Sequence, residues 1–323
     1  MPSWSGTAPE PAEAASAPLR LDRYISEQLG LLSRSQIKTR SMEARLNGKP
    51  VKLSRIVKPG DRLELSWTDP VNTDLLPEDL PLKVIYEDSR VIVVDKAQGM
   101  VVHPGAGNPG GTLANALLFK RLRRSVVNSI TDSIGGEWFR PGIVHRLDKD
   151  TSGVMIAAWD EEALAFLSDQ FKRRRTKKIY AAIVQGIPKE ISGSIETLIS
   201  RDSRDRKRFA VSPNRGKIAL TRYRVIRSWQ GHSLVLLRPR TGRTHQLRLH
   251  MRHLGHPIIG DPIYGFKDPL FPEATLMLHA KSLSISLPGE ESARVFSSPL
   301  PDRFRLMIDK LNKLNKTGKP EQP

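Results

Sequence analysis

Val144 to Ala158 reads VHRLDKDTSGVMIAA, and the rest of the chain is interpreted outward from it. One carboxylate, Asp148, stands among His145, Arg146 and Lys149, and the run Val154-Met155-Ile156-Ala157-Ala158 that follows is apolar throughout. A carboxylate set among basic groups is a candidate nucleophile. A solvated, ion-paired loop leading into a buried strand accounts for the same residues. The stretch leaves both chemistries open but predicts a local architecture of loop followed by buried strand.

The neighbouring segments extend that strand into a mixed sheet with flanking helices, an α+β arrangement. Leu82 to Tyr86 and Val91 to Asp95 pattern as strands joined at Glu87-Asp88-Ser89, and Val91-Ile92-Val93-Val94 is apolar enough to be covered on both faces. Asp160 is a candidate cap for a helix carrying Leu164, Leu167 and Phe171, and Ile179 to Val184 alternates as a strand with Tyr180 near its start. A second block, Arg238 to Gly265, reads RPRTGRTHQLRLHMRHLGHPIIGDPIYG. It follows a strand at Leu234 to Arg238. Thr244 as cap and Gly255 as stop predict a helix over His245 to Leu254, with Leu247, Met251 and Leu254 on its packing side and His245, Arg248 and Arg252 on another. Strands over Leu276 to His279 and Leu283 to Leu287 and a helix over Asp302 to Leu314 complete this part.

Charge narrows the function. Lys and Arg number 52 against 34 Asp and Glu, a formal net charge of +18, which points to a polyanionic partner. Six of the seven residues from Lys172 to Lys178 are cations, including Arg173, Arg174 and Arg175. The dipole at a helix end explains some of that run, and contact with a nucleic-acid backbone explains the excess. Arg201, Arg204, Arg206, Lys207 and Arg208 form a second cluster. No apolar run approaches the ~18 residues that would span a bilayer, so no membrane partner is expected. With no Cys there is neither a disulfide framework nor a thiolate metal site, which fits a reducing, cytoplasmic setting.

Three tempting motifs fail on context. Gly105-Ala106-Gly107-Asn108-Pro109-Gly110 spells GxGxxG, but His103-Pro104 interrupts the approach and no acid lies ~20 residues on to hold a ribose, so a glycine-rich turn is expected and no cofactor. His245, His250, His253 and His256 lack the HExxH spacing, so no metal is expected. An HRD-type kinase loop is excluded because no DFG follows anywhere in the chain.

Domain limits follow from composition. Residues 1–18, rich in Ala, Pro, Ser and Glu, are expected to be a disordered tail. Residues 19–67 combine a helical pattern at Leu21, Tyr24, Ile25 and Leu29, a capping box at Ser33 to Gln36 that opens a second helix, an Asn47-Gly48 turn, and alternating Leu63, Leu65 and Trp67. Residues 68–81 read as a linker, 82–315 as the main domain, and 316–323 as a polar tail.

The phrases HRLDKDTSG and GRTHQLR, in this order, resemble the two signatures of bacterial pseudouridine synthases of the RluA/RluD type, and residues 19–67 resemble an S4 RNA-binding module. The resemblance implies the pseudouridine synthase fold, a mixed and largely antiparallel sheet, preceded by a small α/β S4-like domain. It implies isomerisation of specific uridines in structured RNA, with large-subunit (23S) ribosomal RNA or its precursor as target, no DNA partner, and a monomer. By the family pattern Asp148 is the catalytic carboxylate, Arg248 its salt-bridge partner, and Tyr180 the aromatic that stacks on the target base. Arg146 fills the space that a flipped base leaves. RNA contacts are expected from Arg243, His245, Gln246, Arg173, Arg174 and Arg175, and from Arg34 and Lys38 in the S4-like unit. The competing class is a non-catalytic S4-type rRNA-binding protein, and the intact Asp loop with its GRTHQLR companion argues against it.

Overall fold

The computed structural model describes residues 3–8, 19–32, 37, 42–67, 75–105, 107–127, 142–202, 205 and 208–317. The chain divides into two compact units, Met1–Asp74 and Leu75–Pro323.

The first unit is built on a four-stranded sheet of order β1-β4-β2-β3, with β1 at Ser3–Thr7, β2 at Glu43–Leu46, β3 at Lys49–Pro50 and β4 at Arg62–Ser66. β1 corrects the expectation of disorder for residues 3–8 of the segment 1–18. Ser3–Thr7 pairs antiparallel with β4, Trp4 packs on the core, and Ala8 is buried, so a few apolar contacts plus a ladder of backbone hydrogen bonds order what composition marks as tail. Leu21–Arg23 is α1 and continues as a π-helical segment, Tyr24–Gln28, that buries Leu21 and Ile25 against Leu63 and Leu65. Asn47 and Gly48 both take positive φ, the geometry of a tight hairpin turn between β2 and β3. Asn47 accepts the Arg62 N–H and donates to Asp61, which ties that turn to β4. The capping box at Ser33 to Gln36, and with it Arg34 and Lys38, lies outside the described residues.

The second unit is an eleven-stranded sheet. Its strands are β5 (Lys83–Glu87), β6 (Val91–Lys96), β7 (Gly142–Ile143), β8 (Ser152–Ala158), β9 (Lys177–Gln185), β10 (Ser192–Arg201), β11 (Phe209–Ser212), β12 (Lys217–Trp229), β13 (His232–Pro239), β14 (Leu278–Ser286) and β15 (Ala293–Ser297). The path runs β11-β10-β12-β13-β9-β14-β8-β6-β5, with β15 on β14 and β7 on β8. Every pairing is antiparallel except β14 with β8, so the mixed, largely antiparallel sheet holds. The helices are α2 (Leu113–Val127), α3 (Glu161–Lys172), α4 (Gln246–His253) and α5 (Asp302–Thr317).

β8 is buried at every position, as its apolar run predicts. Val154, Ile156 and Ala158 face one core with α3, while Met155 and Ala157 face another with α2. β6 splits the same way, Val91 and Val93 against Ile92 and Val94. A third core lies where α4 and α5 cover β9, β12 and β13, and there Phe304 is completely enclosed. Burying such a side chain contributes about 1.5–3 kcal/mol. Asp160 caps α3 by accepting the Ala163 N–H at 2.7 Å.

Three expectations change. The two strands expected over Leu276 to His279 and Leu283 to Leu287 are one strand, β14 (Leu278–Ser286), whose register slips between Ala280 and Ser282, and that irregularity hides its continuity in the sequence. Residues 75–81, half of the expected linker, belong to the second unit: Asn115 donates to the Leu76 carbonyl, and the Glu78 carboxylate accepts the Gly111 N–H. α4 is capped not by Thr244 but by His245 in a left-handed conformation, with Gln246 accepting the Arg243 N–H and the Thr241 hydroxyl hydrogen. Of the Gly105 to Gly110 stretch, Gly105 and Asn108 bond reciprocally as a tight turn.

Candidate functional site

The one parallel seam in the sheet places the site. β8 begins at Ser152, four residues after Asp148, and its first residues pair with His279 and Ala280 of β14, whose other edge carries Tyr180 of β9. Gly153 sits in this seam at φ +118°, where a Cβ would lie 2.3 Å from the Ala280 carbonyl oxygen, so no larger residue fits. The loop before it is fastened from beneath. Lys96, almost fully buried, donates to the carbonyls of Ala97, Met100 and Lys149 at 2.8 to 3.1 Å. Gln98 donates to the Asp150 carbonyl, the Gly99 N–H to that of Lys149, and Thr151 N–H to that of Asp148. Ser152 is held between His279 and the Arg303 guanidinium. Burial pushes the Lys96 ammonium down to about 8, against the pull of Asp150 and Asp148.

Above this floor opens a cleft of about 460 Å³, large enough for a nucleoside. Asp148 lies in it with its carboxylate 23% exposed, 3.5 Å from Arg248 Nη1 and 3.9 Å from His245 Nε2. Arg248 is only 3% exposed and is claimed chiefly by a second carboxylate: its Nε and Nη2 donate to Asp261 at 2.7 and 2.6 Å. Burial opposes the arginine's charge, but the hydrogen-bonded Asp261 and then Asp148 outweigh it and raise its pKa further. Asp261 suffers the same burial, and its bond to Arg248 holds it below the ordinary carboxylate range. Asp261 also accepts the N–H groups of Ile263 and Tyr264, so it is itself fixed by the turn that follows it. The ion pair is therefore a chain, Asp261 to Arg248 to Asp148, in which only one guanidinium corner faces the cleft.

Tyr180 lines the cleft, and burial, helped by Asp148, drives its phenol pKa upward, so it stays neutral. Arg146 is exposed at the rim, and Arg174, Lys178, Arg240 and Arg243 line the same opening. Arg173 is turned aside into an ion pair with Asp169, and neither it nor Arg175 lines the cleft. Gln246 departs from its expected role. It is buried, and its amide is used internally, accepting from Thr241 and Arg243 and donating to Leu220 and Thr221, so it shapes the loop from behind. His145 turns inward as well, stacking on Phe171 and accepting the Ile156 N–H, and burial pushes its pKa down to about 3. Of the remaining histidines, His250 is buried against Thr197 and His256 meets the Gln185 carbonyl.

The sequence reading missed Asp261, Lys96 and Tyr264. For Asp261 a signal stood in the second block: Asp-Pro-Ile-Tyr-Gly is a turn in which an Asp side chain binds its own following N–H groups. Lys96 carried none, since a strand lysine is ordinarily exposed.

Comparison with known proteins decides the family. A sequence model described as RNA pseudouridylate synthase matches residues 90–253. This chain is an RNA pseudouridine synthase of the RluA/RluD type. It is 44% identical over 301 residues to a ribosomal large subunit pseudouridine synthase D of Borreliella burgdorferi, covering 91% of this chain and 90% of that one. A protein of the same description from Xanthomonas campestris is 36% identical, covering 92% and 90%. Among solved structures, human RNA Pseudouridylate Synthase Domain Containing 4 superposes with TM-score 0.55 at 25% identity, over 71% of this chain and 93% of that chain. The protein is therefore an enzyme that isomerises uridine in RNA.

Proposed function

We propose that Asp148 is the catalytic carboxylate of this synthase and that its target is large-subunit ribosomal RNA. The observation that carries the reading is the placement of one carboxylate at the floor of a cation-lined cleft of nucleoside size, facing a single corner of Arg248. Isomerisation breaks the bond from N1 to C1′, turns the uracil and rejoins it through C5. Asp148 meets the sugar or base, Arg248 orients it, and Tyr180 offers a neutral ring for the loosened base to stack on. Arg146 at the rim stands where a nucleotide leaves its helical stack, and it fills the vacated space. Arg174, Lys178, Arg240, Arg243 and His245 border the path of the strand, and the first four take its phosphates.

The ribosomal target rests on the names of the relatives in Borreliella and Xanthomonas. Residues 19–67 act as an S4-like module that adds affinity for folded RNA, and the protein works as a cytoplasmic monomer. Among the described residues no helix is long and apolar enough to cross a membrane.

Two experiments test this. Incubating unmodified large-subunit RNA with the protein and mapping pseudouridine should give conversion at defined positions that are unmodified in cells lacking the gene. Conversion confined to transfer RNA would refute the ribosomal assignment. Deleting residues 1–74 should weaken binding to folded RNA while leaving the second unit folded, and equal affinity with and without them would dismiss the S4-like role.

A further inference from the structure

The reaction needs a proton acceptor that the Asp148, Arg248 and Tyr180 set does not obviously supply. When uracil is rejoined to C1′ through C5, that carbon carries both the sugar and its original hydrogen, and the hydrogen must leave as a proton. Tyr180 cannot take it, because a neutral phenol is not a base. His145 cannot either, since its Nε2 already accepts the Ile156 N–H.

We propose that His245 is the general base that removes the C5 proton, held in register by Tyr264. His245 is a non-glycine residue at φ 56°, a left-handed conformation that side chains seldom adopt and that recurs at functional sites. This backbone turns its ring into the cleft, where Nε2 lies 3.9 Å from the Asp148 carboxylate. The other ring nitrogen, Nδ1, is 2.8 Å from the hydroxyl oxygen of Tyr264. Tyr264 is itself buried, and its oxygen accepts the Phe209 N–H at 3.0 Å on one lone pair. The proposed role requires the tautomer in which Nδ1–H donates to this oxygen, which leaves Nε2 with a free lone pair in the cleft. Burial, opposed by Asp148 and Asp261 and aided by Arg248 and Arg146, keeps the imidazole pKa below its ordinary value, so the ring is neutral at physiological pH.

The step balances without any co-reactant. Breakage of the N1 to C1′ bond leaves its electron pair on the uracil, and that charge is drawn from N1 to C5 as C5 bonds to C1′. Nε2 then takes the C5 proton. The C5–H pair forms the C5 to C6 double bond, the negative charge returns to N1, which takes a proton from water, and the imidazolium releases the C5 proton to solvent. The imidazolium formed in between is stabilised by the adjacent Asp148 carboxylate. The inference rests on the assignment of Asp148 and adds to it a second residue with a separate duty.

The test compares the full-length enzyme with His245→Asn under single-turnover conditions, on RNA carrying hydrogen or deuterium at uridine C5. Asparagine tolerates the left-handed backbone and offers no base. The rate should fall about 100-fold, within the usual contribution of acid–base catalysis, while RNA affinity stays within about twofold. The deuterium isotope effect should rise clearly above that of the parent, because proton removal becomes the slow step. Tyr264→Phe, which deletes the partner of Nδ1, should show the same isotope signature with a smaller loss of about tenfold, and it stands in if His245→Asn does not fold. An unchanged rate and isotope effect in both variants, or a loss of RNA affinity alone, would overturn the proposal. Asp148→Asn is assayed alongside: activity there would refute the carboxylate assignment, whereas inactivity there with full activity in His245→Asn would refute the base alone.

Discussion

Arg240 opens the loop before α4 and Arg248 stands in that helix's first turn, and both border the same cleft, yet they are placed by opposite physics. Arg248 is buried and shared between two carboxylates, with Nε and Nη2 at 2.7 and 2.6 Å from Asp261 and Nη1 at 3.5 Å from Asp148. Arg240 is exposed at the rim. A buried charge is held in one geometry because leaving it unpaired is costly, and so it can direct chemistry. An exposed cation loses little by moving and gains by releasing counterions from RNA, so it supplies affinity without alignment. On the proposed reading the floor carries turnover and the rim carries salt-dependent binding, and substitution on either side can break that division.

The largest effect should come from Arg248→Met. It removes the counter-charge of Asp148 and leaves Asp261 buried and unpaired, so kcat should fall on the order of 10²- to 10³-fold. Thermal stability should drop as well, because breaking a buried pair costs about 3–5 kcal/mol. RNA affinity, read by filter binding, should change little. Arg248→Lys should rescue poorly, since an ammonium cannot serve Asp261 through two donors and Asp148 through a third in one plane.

Asp261→Asn should come next. Without its carboxylate, Arg248 is free to swing towards Asp148 and neutralise it in a tight pair, so kcat should fall up to about 100-fold with KM nearly unchanged. A rise in KM alone would move Asp261 from the floor to the rim. Arg240→Ala and Arg174→Ala should do the reverse: each should weaken binding and reduce the salt slope by about one, while the rate with bound RNA stays at the parental value.

The smallest effect separates the floor from the rim by acid. Burial lowers His250 and His279 to about 4 and His145 to about 3, whereas in the unfolded chain each titrates near ~6.5. Between those values the unfolded state binds more protons, so stability falls as the pH is lowered from ~6.5 towards 4. Melting temperature should decline over that window. Arg240→Ala, which touches no buried histidine, should follow the same curve as the parent.

How much of this was legible in the sequence differs by region. β6 and β8 were plain because strands covered on both faces have continuous apolar runs. α2 was not, since its charged residues interrupt the apolar period. The wing of β10, β11 and β12 was missed too, because its strands alternate weakly and expose Ile218 and Ile226. The Asp148 loop was found through its phrase. Its rigidity was invisible, because Lys96 and Gln98 come from a strand end some 50 residues earlier and act on backbone carbonyls rather than on side chains. Gln246 was misjudged for the opposite reason: a polar residue in a basic phrase looks like a contact residue until burial shows all its hydrogen bonds spent inside.

The central claim is that the carboxylate of Asp148, and not the basic rim, performs the isomerisation. RNA labelled with tritium at uridine C5 releases the label to water whenever uracil is rejoined through C5. Asp148→Asn keeps the shape of the side chain and removes its charge. It should bind the RNA with parental affinity and release essentially no tritium. Release at the parental rate would contradict the claim and turn attention to Asp150, two residues further along the same loop.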